Sequence, residues 1–121
     1  MANFSNEKIN QVWQKGFIIA EYDKDVYRKD NCGAWIQRNK YSLEENLGWE
    51  IDHVYPSSKG GNDDLINLRP IQWKNNRSKA DNYPSYSCAI KSNDNKNVKS
   101  DETRTIYIEL QEALNSKYKT N

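Results

Sequence analysis

Residues suited to phosphodiester chemistry lie close together in the middle of the chain. Asp52 and His53 are neighbours, and Asn76 follows on a later segment. Hydrolysis of a phosphodiester needs a base that deprotonates water and a cation that neutralises charge on the phosphorane. His53 is the only histidine, and histidine alone has an unperturbed pKa suited to a base near neutrality. Magnesium prefers oxygen ligands and keeps several waters. We therefore predict His53 as general base and one divalent cation, Mg²⁺ or Mn²⁺, on Asp52 and Asn76.

Positive charge is concentrated directly after this pair. The formal net charge is only +1, which argues against binding nucleic acid by bulk charge. Any binding of nucleic acid must therefore depend on local patches of positive charge. Residues 31–68 carry six acids against three cations, and the next eleven residues carry no acid. The cations of that run are Arg69, Lys74, Arg77 and Lys79. We predict that they bind nucleic acid. Lys79 is the strongest candidate, because it shares a helix face with Asn76. Taken alone, such a run is often a solvated surface.

The elements that must position these residues can be inferred from local pattern. Alternation predicts a strand over Trp49–Tyr55, which Pro56 ends, and a polar loop over 57–64. Leu68–Gln72 is predicted as a short return strand, with Pro70 acceptable only at a sheet edge. Trp73–Asn82 is predicted as a helix that stops before Tyr83-Pro84. One conflict remains. Neighbouring side chains in a regular strand face opposite sides of the sheet, yet Asp52 and His53 must reach the same site.

The flanking segments are less distinct. Ser5 or Asn6 could cap a helix that carries Ile9, Val12 and Trp13 on one face and ends at Gly16. A strand is predicted at Ala34–Arg38, after a turn at Asn31-Cys32-Gly33. Residues 85–101 form either a loop or the tip of a hairpin, and Leu110–Tyr118 is predicted as helix. The pattern does not decide whether residues 103–110 form a strand or a helix.

The segment from about 30 to 82 resembles the ββα-metal core of the HNH endonuclease family, in the variant that ends in Asn. Asp52-His53 matches the Asp-His pair, Asn67 the middle Asn and Asn76 the final His-or-Asn. The Gly-Gly-Asn-Asp-Asp loop from Gly60 to Asp64 also fits. The resemblance implies that His53 activates water, Asp52 and Asn76 hold the cation, and Asn67 contributes to catalysis by bracing the loop that orients His53. Family members leave a 5′-phosphate and a 3′-hydroxyl.

The sequence departs from the family in its cysteines. Many members carry two CxxC pairs that bind a structural zinc. Here Cys32 stands at one of the four places, and Lys29, Gln72 and Asn75 stand at the others. We therefore expect no structural zinc, and we expect aromatic packing to replace it.

Composition sets the remaining expectations. Fourteen aromatic residues can organise a small core, and the length of 121 residues suits one domain, 1–121, around the 30–82 core. The fold class is predicted as α+β, with helices flanking the ββα-metal core. Cys32 and Cys88 are far apart, and we expect neither to have a chemical role. With no apolar run of membrane-spanning length and no signal peptide pattern, a cytoplasmic protein without membrane partners is expected.

The sequence leaves three functions open. The first is a DNA endonuclease, the second is a nucleic-acid-binding module that keeps the fold without catalysis, and the third is a toxin nuclease acting on DNA or RNA. The complete set of Asp52, His53, Asn67 and Asn76 favours an enzyme over the binding module.

Overall fold

A computed structural model describes residues 3–119, and in that range the elements mix short antiparallel strands with three α-helices. In chain order they are α1 (Asn6–Trp13), β1 (Tyr27–Lys29), β2 (Trp35–Gln37), β3 (Trp49–His53), β4 (Leu68–Gln72), α2 (Trp73–Lys79), β5 (Ser85–Ser87), β6 (Ile90–Asn93), β7 (Lys96–Lys99), β8 (Thr103–Thr105) and α3 (Ile108–Tyr118). The predicted α+β class is confirmed. None of the helices in the described range has the length and apolar character needed to cross a membrane.

The central unit is the antiparallel pair β3–β4 followed directly by α2. The register places Asp52 opposite Arg69 and His53 opposite Leu68. This confirms the predicted order of strand, long loop, strand and helix. The strand β3 ends at His53 rather than Tyr55, and α2 ends at Lys79 rather than Asn82. Pro70 is tolerated because β4 pairs on one side only, in a two-stranded sheet.

Helix α1 closes one side of this unit. Ser5 caps it by accepting a hydrogen bond from the backbone N–H of Lys8, as the sequence predicts. Its buried face consists of Ile9, Val12 and Trp13, and the ring of Trp13 lies 5.2 Å from that of Trp49. A first hydrophobic core forms here between α1 and the β3–β4 pair.

The C-terminal third builds a second core. Strands β6 and β7 form a hairpin, so the hairpin alternative for 85–101 is correct. Strand β5 pairs with β8, and the ambiguous stretch 103–110 divides into β8 and the start of α3. Tyr55, Tyr86 and Leu114 are among the buried residues of this second core.

The two cysteines are joined, and the expectation that they have no role is wrong. Cys32 and Cys88 form a disulfide with their Cα atoms 5.8 Å apart. Sequence reasoning missed the bond because the two residues lie 56 positions apart and in unrelated local contexts. The bond ties the turn before β2 to the segment that follows β5.

A buried carboxylate, Asp30, bonds to three of the positions that the family resemblance assigns to zinc ligands: Cys32, Gln72 and Asn75. Asp30 Oδ2 accepts from the backbone N–H of Gln72 and the side-chain amide of Asn75, both at about 3 Å. Its Oδ1 accepts from the backbone N–H groups of Cys32 and Ala34. Burial raises the pKa of Asp30, while these four hydrogen bonds act in the opposite direction. A polar network and the disulfide, and not aromatic packing alone, therefore connect these positions.

Candidate active site

Asp52, His53 and Asn76 line one small cleft. The cleft has a volume of about 120 Å³, and Ser57 and Asp81 also line it. Asp52 and His53 reach the same cleft although they are neighbours in β3, because His53 is the last residue of the strand. The end of the strand thus resolves the conflict that strict alternation poses. The sequence did not single out Asp81, which follows α2 and adds a carboxylate to the cleft.

The imidazole of His53 is held by a carboxylate from the long loop. His53 Nε2 lies 2.6 Å from Asp63 Oδ1. A carboxylate accepts this hydrogen bond when Nε2 carries the hydrogen, and in a neutral ring that tautomer leaves the lone pair on Nδ1. Among the described residues, Nδ1 has no hydrogen-bond partner. This is the arrangement that a general base requires, with one nitrogen oriented and the other free to accept a proton.

Asn67 connects the two ends of the long loop. Its side chain is fully buried, its oxygen accepts from the backbone N–H of Tyr55, and its amide donates to the carbonyls of Tyr55 and Asn62. Gly61 packs so closely against this bridge that a Cβ there would lie 1.9 Å from the carbonyl oxygen of Tyr55. The bonds fix the start of the loop relative to the residue that precedes Asp63. Asn67 is thus placed to brace the loop, while it does not itself line the cleft.

Asp52 lies between two buried cations. Arg69 Nε is 3.0 Å from Asp52 Oδ2, and the ammonium of Lys79 is 3.3 Å from Oδ1 and 3.2 Å from the carbonyl oxygen of His53. The Lys79 side chain is 0% exposed and that of Arg69 is 9% exposed. Burial lowers the pKa of Lys79, and the charge of Asp52 opposes that effect.

This burial corrects the prediction that Lys79 and Arg69 contact phosphates. Helical spacing places Lys79 close to Asn76 along α2, but that side of the helix packs against β3 and β4. The two cations therefore neutralise and orient Asp52 instead of meeting nucleic acid.

Asn76 rather than Asn75 belongs to the cleft. Asn75 is fully buried and bonds to Asp30 and to the backbone of Ala89 and Ile90 on the far side of α2. Asn76 lines the cleft, and its amide N–H donates to Glu50 Oε1 at 2.7 Å. This bond fixes which end of the amide is the donor, so the carbonyl oxygen of Asn76 is the end that could serve as a metal ligand.

Two of the four predicted cations remain at the surface. Lys74 is exposed, and the Arg77 side chain is 52% exposed and pairs with Glu44 and Glu50. Both cations lie near the ring of Trp73, at 5.6 and 5.8 Å from its centroid. Trp73 is therefore a partly exposed residue under a cationic surface, whereas Trp49 is fully buried in the first core.

The donor atoms at the cleft suit a hard divalent cation. In the described range no group of three or more His, Cys, Asp or Glu side chains could hold a metal, so a metal here would need further ligands such as an amide, waters or substrate oxygens. Asp52 and Asn76 supply one carboxylate and one amide carbonyl. Each oxygen of Asp52 has one cationic partner, and a carboxylate offers about four lone-pair sites, so acceptor capacity remains. The cleft exceeds the ~30 Å³ that a water occupies in the liquid, which leaves room for retained waters.

Two features of the site were not predictable from residue type. Asp63 looked like a loop-shaping residue, and only the folded loop shows its contact with His53. The burial of Lys79 depends on how α2 packs, and a basic run in the sequence has the same pattern whether it faces solvent or core.

Comparison with known proteins supports the resemblance. Residues 32–85 match the family model described as HNH endonuclease. Neither the curated proteins nor the solved structures gave a match. The matched segment contains β3, β4 and α2 and ends at the first residue of β5.

Proposed function

We propose that this chain, whose segment 32–85 belongs to the HNH endonuclease family, is a metal-dependent endonuclease that hydrolyses phosphodiester bonds of DNA. The observation that carries the proposal is the convergence of Asp52, His53 and Asn76 on one cleft, with Asp63 holding His53. Family membership implies a nucleic-acid substrate, while the choice of DNA is our own inference.

The chain's residues divide the work in a simple way. His53 Nδ1 takes the proton from water, and Asp63 fixes the tautomer and orientation of the ring. Asp52 and Asn76 would hold the metal ion, Mg²⁺ or Mn²⁺, and Arg69 and Lys79 keep the carboxylate of Asp52 in place. When bound, such an ion neutralises charge that develops on the phosphate oxygens. Lys74, an exposed member of the basic run, is the residue that would meet the nucleic-acid backbone, whereas Arg77 pairs with Glu44 and Glu50.

A nuclease that acts outside the reducing cytosol is the second candidate. The disulfide Cys32–Cys88 favours it, because disulfides persist in oxidising compartments and are rare in the cytosol. The disulfide speaks against the expectation of a cytoplasmic protein, which rested on the absence of a membrane-spanning run and of a signal-peptide pattern. This candidate includes the toxin nuclease, and it shares the chemistry proposed here.

The test is cleavage of plasmid and single-stranded DNA by the purified chain with Mg²⁺ or Mn²⁺, with and without chelator. We expect cleavage only with metal. His53→Ala at saturating metal should lower the rate by about 10²–10⁴-fold, which is the usual range for a lost general base. Asp52→Ala and Asn76→Ala should raise the metal concentration needed for half-maximal activity.

The outcomes separate the candidates. Equal rates for wild type and His53→Ala would show a contaminating nuclease and remove the catalytic assignment. DNA binding without cleavage by the wild type at any metal concentration would favour the non-catalytic binding module. Cleavage of RNA at a rate equal to or above that of DNA would overturn the assignment of DNA as substrate.

A further inference from the structure

A second cavity adjoins the cleft, on the other side of His53. Its volume is about 260 Å³, and His53 and Asn76 line both cavities. Ile51 also lines both, and the additional lining residues of the second cavity, which lie before and within the ββα unit, are Phe4, Tyr41, Ser42, Glu50 and Arg77. This space is larger than a phosphate and a few waters require, and it opens beside the proposed reacting bond.

The walls of this cavity combine aromatic rings with a polar edge. The ring of Phe4 lies 6.2 Å from that of His53, and the ring of Tyr41 packs edge-on against Trp49 at 4.9 Å. Both rings are partly exposed, and their inner sides contact the first core, which holds them in place. The polar edge is the ion pair of Arg77 with Glu50, which presents donors and a carboxylate acceptor together.

We propose that this cavity, the Phe4–Tyr41 pocket, binds an unpaired nucleobase of the strand whose phosphate lies at His53. Aromatic faces are the surfaces on which unpaired bases stack, and Arg and Glu side chains are groups that bond to base edges. A base in a Watson–Crick duplex is stacked and paired, so it cannot enter a pocket of this kind without leaving the helix. The inference rests on the proposed function and makes single-stranded or unpaired DNA the preferred substrate.

The charges of the region agree with this occupant. A nucleobase is neutral, and Arg77 and Glu50 largely neutralise each other at the pocket edge. A second phosphate would instead face the carboxylate of Glu50 without a free cation among the lining residues of the pocket. A base is therefore favoured over a phosphate in this space.

Binding and cleavage should be measured separately. Binding is followed by fluorescence anisotropy with a labelled single strand, the matching duplex, and the single strand carrying one abasic site, all in chelator. We expect the single strand to bind at least tenfold more tightly than the duplex. Phe4→Ala should weaken single-strand binding by about tenfold and leave duplex binding unchanged.

Two further variants keep the test independent of folding. Phe4→Leu keeps apolar volume against the core but removes the aromatic face, so it should lose single-strand affinity with little change in melting temperature. Phe17→Ala is the matched control, because Phe17 is 53% exposed and lies at a different cavity. It should bind both DNAs as the wild type does.

The cleavage arm uses the same DNAs with metal. Cleavage at the phosphate next to the abasic site should fall by about tenfold relative to the intact strand. Equal affinity for duplex and single strand would contradict the proposed base-binding pocket, and so would wild-type affinity of Phe4→Leu for the single strand. Neither result would contradict the proposed nuclease activity. Single-strand preference that depends on Phe4, without any cleavage by the wild type, would instead overturn the proposed nuclease and leave the pocket as a binding site.

Discussion

The contact between Asp63 and His53 is the most informative at the level of single residues. The Asp63 side chain is 58% exposed, and His53 is the partner that its carboxylate contacts, while Lys8 donates to its backbone carbonyl. That exposure predicts a moderate effect on removal. Asp63→Ala should lower the cleavage rate by about tenfold, less than His53→Ala, because the ring loses orientation but keeps its basic nitrogen.

A positioning role for Asp63 can be distinguished from a structural one. Asp63→Asn keeps an oxygen that can accept from His53, so it should recover part of the lost rate. DNA affinity and melting temperature should be unchanged in both variants. A rate of Asp63→Ala equal to that of the wild type would show that His53 is oriented without this carboxylate.

Lys79 illustrates how burial changes the meaning of a charge. Its ammonium bonds to Asp52 and to the carbonyl of His53, in a place where solvent does not reach. Removing one partner of a buried ion pair leaves an uncompensated charge, which costs on the order of 3–5 kcal/mol. Lys79→Met should therefore lower the free energy of unfolding by ~3 kcal/mol, measured by chemical denaturation.

The control for this variant is Lys74→Met, which removes an exposed cation from the same helix. It should leave the free energy of unfolding unchanged. The slope of log DNA affinity against log salt concentration should become shallower by about one unit, as expected for one lost phosphate contact. The opposite result for Lys79→Met would be unchanged stability and a shallower dependence of DNA affinity on salt. It would show that Lys79 contacts phosphates.

At the level of elements, α3 fastens the loop that carries Asp63. Lys117 lies 2.8 Å from Asp64, and the hydroxyl of Tyr118 bonds to the side chain of Asn62. The hydrogen bond from Lys117 lowers the pKa of Asp64 below its usual 3.8. The C-terminal helix therefore helps to set the conformation of the active-site loop from outside the ββα unit.

This pair predicts a pH dependence of definite sign. A carboxyl whose pKa is lower in the folded state adds stability above its unfolded pKa and loses it as the pH falls through the folded value. The difference in melting temperature between wild type and Lys117→Met should thus be small but present at pH 7, and should vanish well below pH 3.8. Thermal melts from pH 7 to pH 2 measure it, with Lys119→Met as control. A difference that persisted at pH 2 would show a contribution from Lys117 that does not depend on Asp64.

The elements that the sequence predicts well are those with strong local patterns. The alternation from Trp49 to His53, the loop with two glycines and the basic helix after Gln72 each carry their own signal. Strand β1 was missed because Tyr27–Lys29 has three residues and too little periodicity. The joining of β5 with β8 was also missed, because long-range pairing leaves no trace in either strand alone.

On the scale of the whole molecule, covalent and polar contacts join segments that lie before and after the ββα unit. The disulfide joins the turn before β2 to the segment after β5, and Asp30 bonds to the start of α2 close by. Helix α2 carries Asn76 on one side and Asn75, a partner of Asp30, on the other. The geometry of the cleft therefore depends on contacts made by chain segments on both sides of it.

The disulfide makes a prediction that tests this organisation. Cross-linking two residues 56 positions apart restricts the unfolded chain, and the chain-entropy relation gives a stabilisation of up to ~4 kcal/mol for a loop of that length. The double variant Cys32→Ser/Cys88→Ser should unfold with a free energy about 2–4 kcal/mol below that of the oxidised wild type. Dithiothreitol should lower wild-type stability by a similar amount and leave the variant unchanged, because the variant has no bond to reduce. Alkylation and mass measurement of the unreduced, denatured wild type should find no free thiol. The contrary result would be two alkylated cysteines and a wild type whose stability is the same with and without dithiothreitol. That result would show that the disulfide does not form, and it would remove the argument for an oxidising compartment.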